Sequence, residues 1–396
     1  MTYKEKCLNY IKYILKWLCL GVLIGVLGGI VGTVFHKCLD FVTEIRQHNS
    51  FLIYLLPLAG VVIALMYKPF AKKGNIDTKR VFQSVKENKD VPLVMMPLIF
   101  LGSAISHLFG ASMGREGAAL QLGGSLGYSV GTCLKQNEND RKIMVVAGMG
   151  SVFSALFGTP LAAAIFSLEV TGGVRLRKNA LVPGFVASIV AFFVSQFLGA
   201  TPVRLDMPQI SGYTLEIILK VALLAALCAV VCIVFATAIH KTEHFAKKCV
   251  PNGLARGFAG GALVVLLTVL LKTTDYNGAG MDVITRAISG DANYEAFALK
   301  ILFTVVSIAA GFKGGEIVPT FFIGATFGCV IGGLLGIGAG FGATIGLVAL
   351  FAGMTKCPVA AFLLGLEVFG PSATGVFALA VVITYLFSGR FGLYNE

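Results

Sequence analysis

Apolar segments long enough to cross a bilayer recur along the whole 396-residue chain, and this feature removes most folds open to a sequence of that length. Mean hydropathy is +0.84 and only 13% of residues are charged, so a soluble multidomain protein is excluded. The chain reads as an all-α polytopic membrane protein. Its 48 glycines suit close helix approach in lipid, where small residues replace the missing hydrophobic drive. The net charge of +12 does not imply a nucleic-acid partner, because the lysines and arginines fall mostly in the N-terminal arm and in the loops. That is the distribution the positive-inside rule produces. Nine scattered cysteines, mostly in apolar sequence, give neither a disulfide framework nor a metal site.

Within this background Gly110–Gly127, GASMGREGAALQLGGSLG, stands out because Arg115 and Glu116 interrupt long apolar sequence. Gly110 and Gly114 precede the charges, and a proline-free run with Gly117, Gly123, Gly124 and Gly127 follows. The pattern predicts a loop feeding the N-terminus of a tightly packed helix. Such an end leaves about four N–H groups without intrahelical partners and carries roughly half a positive charge, so it binds anions. An intramembrane carboxylate there is a functional candidate. The plainer alternative is a capping Glu with no ligand.

In chain order, residues 1–16 form a basic amphipathic arm with Lys4, Lys6, Lys12 and Lys16. It is too continuous with the first span, near Trp17–Phe35, to be a cleaved signal peptide. A second span, Phe51–Tyr67, returns to the basic loop Lys68–Asp90, so arm and loop share a side, the cytoplasm. Val91–Phe109 is the next apolar run, and the Gly-rich stretch follows after too few residues for a loop and a full new span. Re-entrant or broken helices resolve this, since irregular backbone is tolerated where protein buries it. Beyond the polar loop Lys135–Lys142 come Ile143–Val170, the basic turn Arg175–Lys178, and spans at Leu181–Phe197, Leu215–Ile239 and Gly257–Leu271. Glu216 and Lys220 read as snorkelling interfacial charges. The block Phe297–Phe387 is nearly continuous apolar sequence broken by glycines, prolines and a few charges, among them Lys313, Glu316 and Lys356, and the sequence to Glu396 leaves no room for a cytosolic regulatory domain.

An internal repeat joins this last block to the first. A slide of 198 residues places Gly148, Phe153, Pro160, Ala162, Ala163, Leu168, Glu169, Val170 and Gly172 on Gly346, Phe351, Pro358, Ala360, Ala361, Leu366, Glu367, Val368 and Gly370. With a two-residue change of offset, Glu116 falls on Glu316 in GFKGGEIVPTFFIG, so each half offers one glutamate at a Gly-rich helix start. The organisation expected is a first transmembrane half over 17–199 and a second over 200–396. Repeats of this kind mark transporters whose half-helices converge on a midplane site.

Gly114-Arg115-Glu116-Gly117, the following Gln121, Gly123, Gly124 and Gly127, the Pro160 and Pro358 copies, and Gly314-Gly315-Glu316-Ile317-Val318-Pro319 together resemble the CLC chloride channel and transporter family over nearly the whole chain. The resemblance implies a homodimer with one anion pathway per subunit, and two inverted repeats with re-entrant helices in each. By position Glu116 matches the family's external gating glutamate, which mimics an anion when ionised and vacates the site when protonated. Leu393-Tyr394 resembles the segment that supplies the pore tyrosine hydroxyl. The anion-binding set implied is Gly114, Arg115, Gly117, Ile317, Val318 and Tyr394. Glu316, where most of the family is apolar, resembles the bacterial fluoride/proton antiporter branch. So does Val170, at the place of the internal proton-transfer glutamate of chloride/proton exchangers. The first family motif, Gly-Ser-Gly-Ile-Pro, has no counterpart near Gly74–Thr78, and no methionine occurs between Met66 and Met95. Asn75 or Thr78 could donate a hydrogen bond in place of the missing serine.

Physics supports a second carboxylate. An isolated small anion in a low-dielectric interior costs tens of kcal/mol by Born estimates, and one helix N-terminus returns only about 0.3–2 kcal/mol, so several donors must converge. Two carboxylates facing an anion cannot both stay ionised, so anion entry favours proton uptake. The function expected is export of fluoride in exchange for protons across a bacterial plasma membrane, with a chloride/proton antiporter or a passive chloride channel of the same fold as the alternative. A salt bridge to Lys313 is the plainer reading of Glu316. His107 reads as a packed histidine, Arg115 as a residue that ties down its loop, Glu169 and Glu367 as boundary charges, and Phe321 and Phe322 as packing or lipid-facing residues. No His-Glu-x-x-His, Gly-x-Gly-Asp or Gly-x-Ser-x-Gly occurs, so no enzyme, metal or cofactor is expected.

Overall fold

Long apolar runs in hydrocarbon close their own backbone hydrogen bonds only as helices or barrels. In the computed structural model, which describes residues 3–73, 77–172, 174–208, 212 and 214–394 (side chains of 4, 6–10, 71–73 and 174–178 excepted), they are helices. The first eight are α1 (Tyr3–His48), α2 (Leu56–Tyr67), α3 (Thr78–Glu87), α4 (Met95–Phe109), α5 (Glu116–Cys133), α6 (Glu138–Phe157), α7 (Pro160–Val170) and α8 (Val174–Phe197). The second eight repeat the order: α9 (Leu215–Cys249), α10 (Gly253–Leu271), α11 (Met281–Ile288), α12 (Ala296–Ala310), α13 (Ile317–Leu335), α14 (Ala339–Thr355), α15 (Pro358–Phe369) and α16 (Thr374–Phe387). No strand occurs among the described residues, only one isolated antiparallel pairing, Gly114 with Gly315.

Among the described residues, six segments are long and apolar enough to span a membrane: Ile11–His48, Ser50–Phe70, Asn179–Phe197, Leu215–Cys249, Gly253–Leu271 and Ile317–Leu335. Others are too short. The 11 residues of α7 and 12 of α15 reach only about 17–18 Å at 1.5 Å per residue, against about 30 Å of hydrocarbon. They follow breaks of matching geometry. Gly158 is left-handed (φ +69) and Thr159 has φ −123, ψ 74, and Pro160 then opens α7. Lys356 is left-handed (φ +59) and Cys357 has φ −120, ψ 74 before Pro358. Ile143–Val170 is therefore two helices, and proline at the first turn, where its missing N–H costs nothing, starts the second.

The chain folds as two compact units, residues 1–36, 76–96 and 119–203 in one and 37–75, 97–118 and 204–396 in the other. In the first, α6 packs on α7 and α8, and backbones approach so closely that a Cβ on Gly123 would lie 2.1 Å from the Gly148 carbonyl oxygen. In the second, α13 packs on α14 with the same device, a Cβ on Gly324 falling 2.5 Å from the Gly346 oxygen. Side chains are excluded from both crossings.

Three sequence expectations change. The basic arm is the beginning of α1. The loop Lys68–Asp90 contains α3, capped by Asp77, whose side chain accepts the Arg80 N–H at 3.1 Å, and α3 buries Val81, Phe82 and Val85. The polar stretch after α10 likewise contains α11, with Val283, Ile284, Ala287 and Ile288 buried. Glu216 and Lys220 form an i,i+4 ion pair at 2.6 Å. Phe321 and Phe322 are buried packing residues.

Candidate functional site

α4 and α12 each end at a glycine that reverses the chain, Gly110 (φ +86) and Gly311 (φ +95), and a short loop leads from each into the next helix. A left-handed residue there carries almost no penalty only as glycine. The two loops lie antiparallel: Gly114 N–H donates to the Gly315 oxygen at 2.6 Å, and Gly315 N–H donates to the Gly114 oxygen at 2.7 Å. Each loop is also fastened to the helix preceding the other. Ser112 N–H donates to Ser307 Oγ at 3.0 Å, and Lys313 N–H donates to Ser106 Oγ at 3.0 Å. A Cβ on Gly315 would lie 2.3 Å from Gly117 N, so no larger residue fits.

This pairing corrects the repeat. Gly110 and Gly311, Gly114 and Gly315, and Ser106 and Ser307 are each 201 positions apart. Glu316 thus corresponds to Arg115, and Glu116 to Ile317. The glutamates are near each other but not equivalent, because Glu116 is the first residue of α5 whereas Glu316 is the last before α13.

Glu116 is fully buried (0% exposed). Its Oε2 accepts the Arg115 N–H at 3.0 Å, and the backbone amides of Glu116 itself and of Val318 also bond the carboxylate. Its Oε1 has no hydrogen-bond partner among the described residues, and the nearest cationic group, Arg115 Nε, is 3.8 Å away. The side chain thus lies against its own helix start and receives an amide from the first turn of α13. Arg115 serves the loop, its Nη1 donating to Asp40 Oδ1 at 2.9 Å. Glu316 Oε2 lies 3.3 Å from where a Gly117 Cβ would be, against the first turn of α5. The Lys313 ammonium, the partner considered for it, stands 4.3 Å above the Tyr67 ring.

Tyr394 joins this group. Leu393 N–H donates to the Met354 oxygen at 2.8 Å and His240 Nε2 to the Gly392 oxygen at 3.0 Å, which fixes the C-terminal segment. The Tyr394 hydroxyl is within electrostatic reach of both Glu316 and Glu116. Gly114, Arg115, Glu116, Gly117, Glu316, Ile317, Val318 and Tyr394 are therefore all in one unit. Asn75 lies outside the described residues. Thr78 belongs to the other unit, where its hydroxyl accepts Gln121 Nε2 at 3.0 Å. His107 is packed, with Nδ1 donating to the Ser103 oxygen at 2.9 Å.

Sequence reasoning passed over three contributors. Ser106 and Ser307 each stand four residues before the reversing glycine, and that shared spacing was a readable signal. Lys300 is fully buried in apolar α12 and donates to the oxygens of Tyr276 (3.2 Å) and Gly278 (2.7 Å). An isolated lysine in an apolar run could have flagged it.

The geometry matches known proteins. A "Chloride/fluoride channel protein" of Pseudomonas syringae pv. tomato is 36% identical over 395 residues, covering 98% of this chain and 87% of its relative. An H(+)/Cl(-) exchange transporter of Vibrio vulnificus is 26% identical, covering 88% of this chain and 81% of the relative. The crystal structure of a CLC-type fluoride/proton antiporter superposes with a TM-score of 0.92 at 31% identity, covering 100% of this chain and 98% of that one. The family profile described as "Voltage gated chloride channel" matches residues 58–389, across both helix starts and both proline breaks, and the chain belongs to that family, the CLC family.

Proposed function

We propose that the protein exports fluoride in exchange for protons across the cell membrane. The observation that carries this is the convergence of two carboxylates, Glu116 and Glu316, with the Tyr394 hydroxyl at the paired starts of α5 and α13. The donors that hold the Glu116 carboxylate, the amides of Arg115, Glu116 and Val318, are the donors a bare anion needs. Carboxylate and anion therefore compete for one place. When Glu116 takes a proton it loses its claim on those amides and the anion enters; when the anion leaves, the carboxylate returns and the proton is released to the other side. Gly117 and Ile317 add first-turn amides to the same set. Glu316, beside Gly117, is a hydrogen-bond donor once protonated. Fluoride, small and a strong acceptor, gains more from such a donor than chloride does. The names of the Pseudomonas relative and of the fluoride/proton antiporter structure support the same reading.

The anion is chosen by experiment. Purified protein in proteoliposomes, loaded with fluoride or with chloride, should release fluoride much faster, with the external medium turning alkaline as protons enter. Equal release of both anions would favour the chloride/proton exchanger, and release without pH change a channel. We also infer a homodimer, with glycine-rich helices allowing a close interface. Cross-linking in mild detergent should trap a dimer, and only monomer across a wide concentration range would contradict this.

A further inference from the structure

Beside the gating loop lies a cavity of about 310 Å³, far more than one water needs. Asp40, Thr43 and Arg46 of α1, His107 of α4, Arg115, and the segment Thr274–Val283 line it. The floor is continuous with the motif, since Gly278 N–H donates to the Ala111 oxygen (3.1 Å) and Asn277 Nδ2 to the Gly110 oxygen (3.1 Å).

Two polar atoms in this wall lack partners among the described residues. One is Arg46 Nη1, buried and with no acceptor. The guanidinium lies in a slot left open by two left-handed glycines: a Cβ on Gly278 (φ +60) would fall 2.6 Å from Nη1, and one on Gly110 (φ +86) 3.5 Å. The other is Nε2 of His107, a residue only 3% exposed, whose Nδ1 is already spent on the Ser103 oxygen. A buried guanidinium N–H without an acceptor is costly, and an acceptor is what the cavity lacks. Asp40 and Asp275 of the lining are engaged elsewhere, whereas Asp282 also acts electrostatically on Arg46 without bonding its Nη1. Asp40 holds Arg115 at 2.9 Å, Asp275 accepts Arg286 at 2.5 Å, and Asp282 accepts Gln47 Nε2 at 3.5 Å. Behind the wall the buried Lys300 ammonium acts electrostatically on both Arg46 and His107.

We propose that this cavity is an anion-capture site, in which Arg46 binds a small monovalent anion that keeps part of its water shell, one of those waters donating to His107 Nε2. Its position fits capture: α1 begins on the side the basic segments assign to the cytoplasm, so the Arg46 end faces outside. The lining also holds Asp40, Asp275 and Asp282, so capture rests on the Arg46 guanidinium with the Lys300 ammonium behind it and not on a wall of one sign. Such a site works for any small anion and does not depend on proton coupling.

Bromide, which scatters anomalously, is the probe. Crystals of the full chain grown in bromide should show a peak in the cavity against Arg46, and Arg46→Gln should lose it. Thr43→Asp, a negative charge on the cavity wall that leaves Arg46 in place, should lose it too, which covers the case that Arg46→Gln fails to fold. In proteoliposomes both variants should raise the external anion concentration for half-maximal flux several-fold and leave the maximal rate unchanged. A wild-type cavity without bromide, or bromide retained in Thr43→Asp together with an unchanged half-maximal concentration, would overturn the proposal. A bromide peak in a protein without proton coupling would uphold this site while refuting antiport.

Discussion

The loops Gly110–Glu116 and Gly311–Ile317 share one backbone and carry different chemistry. Both begin at a left-handed glycine, both pair through a central glycine, and each borrows a serine hydroxyl from the helix preceding the other. At the helix start one reads Arg-Glu and the other Glu-Ile. A one-residue shift of the carboxylate changes its place. Glu116 folds under the amides and is wholly buried, whereas Glu316 stands just before its helix, partly exposed, against the first turn of the other. The frame is symmetric and the site built on it is not, which is what a device needs if one carboxylate is to leave and the other to stay.

The comparison breaks most visibly at Glu116. Glu116→Gln keeps the shape and removes the proton, so proton movement driven by an anion gradient should vanish; undiminished proton flux in that variant would remove Glu116 from the mechanism. Next in size is Glu316→Ala, which should greatly weaken fluoride transport in a protein still folded and dimeric. Fluoride carried at the wild-type rate, with the same preference over chloride, would make Glu316 structural.

Substitutions in the shared frame should act on stability and act alike. Gly315→Ala places a Cβ 2.3 Å from Gly117 N, a clash with backbone that cannot rotate away, and should cost at least about 1–3 kcal/mol in detergent unfolding. Ser307→Ala strands the buried Ser112 N–H, for about 1–3 kcal/mol, and Ser106→Ala should do less, since Lys313 is only half-buried. The smallest effect belongs to Asp40→Asn. Its carboxylate is 58% exposed, and such pairs with arginine contribute about 0–1 kcal/mol.

Much of this frame was legible because it is written in residue types with few uses. Gly-Arg-Glu-Gly in apolar sequence and the matching prolines at 160 and 358 constrain backbone and burial directly. The pairing of Gly114 with Gly315 was not legible. Motif alignment matches letters, and Glu over Glu is a better match than Glu over Arg, although hydrogen bonds align the glycines. The helices α3 and α11 were hidden for another reason: they are short and amphipathic, and their charged faces read as loop beside far more apolar spans. The bond from Gln121 Nε2 to the Thr78 hydroxyl was not legible either, because the two residues are 43 positions apart.

Uphill proton transport is the most direct test of the coupling assigned to Glu116 and Glu316. Proteoliposomes loaded with fluoride, diluted into fluoride-free medium and set slightly more acidic inside than out, should draw protons inward against their gradient as fluoride leaves, and should stop doing so in Glu116→Gln. Fluoride efflux with no inward proton movement in the wild-type protein would contradict antiport and leave a passive anion pathway.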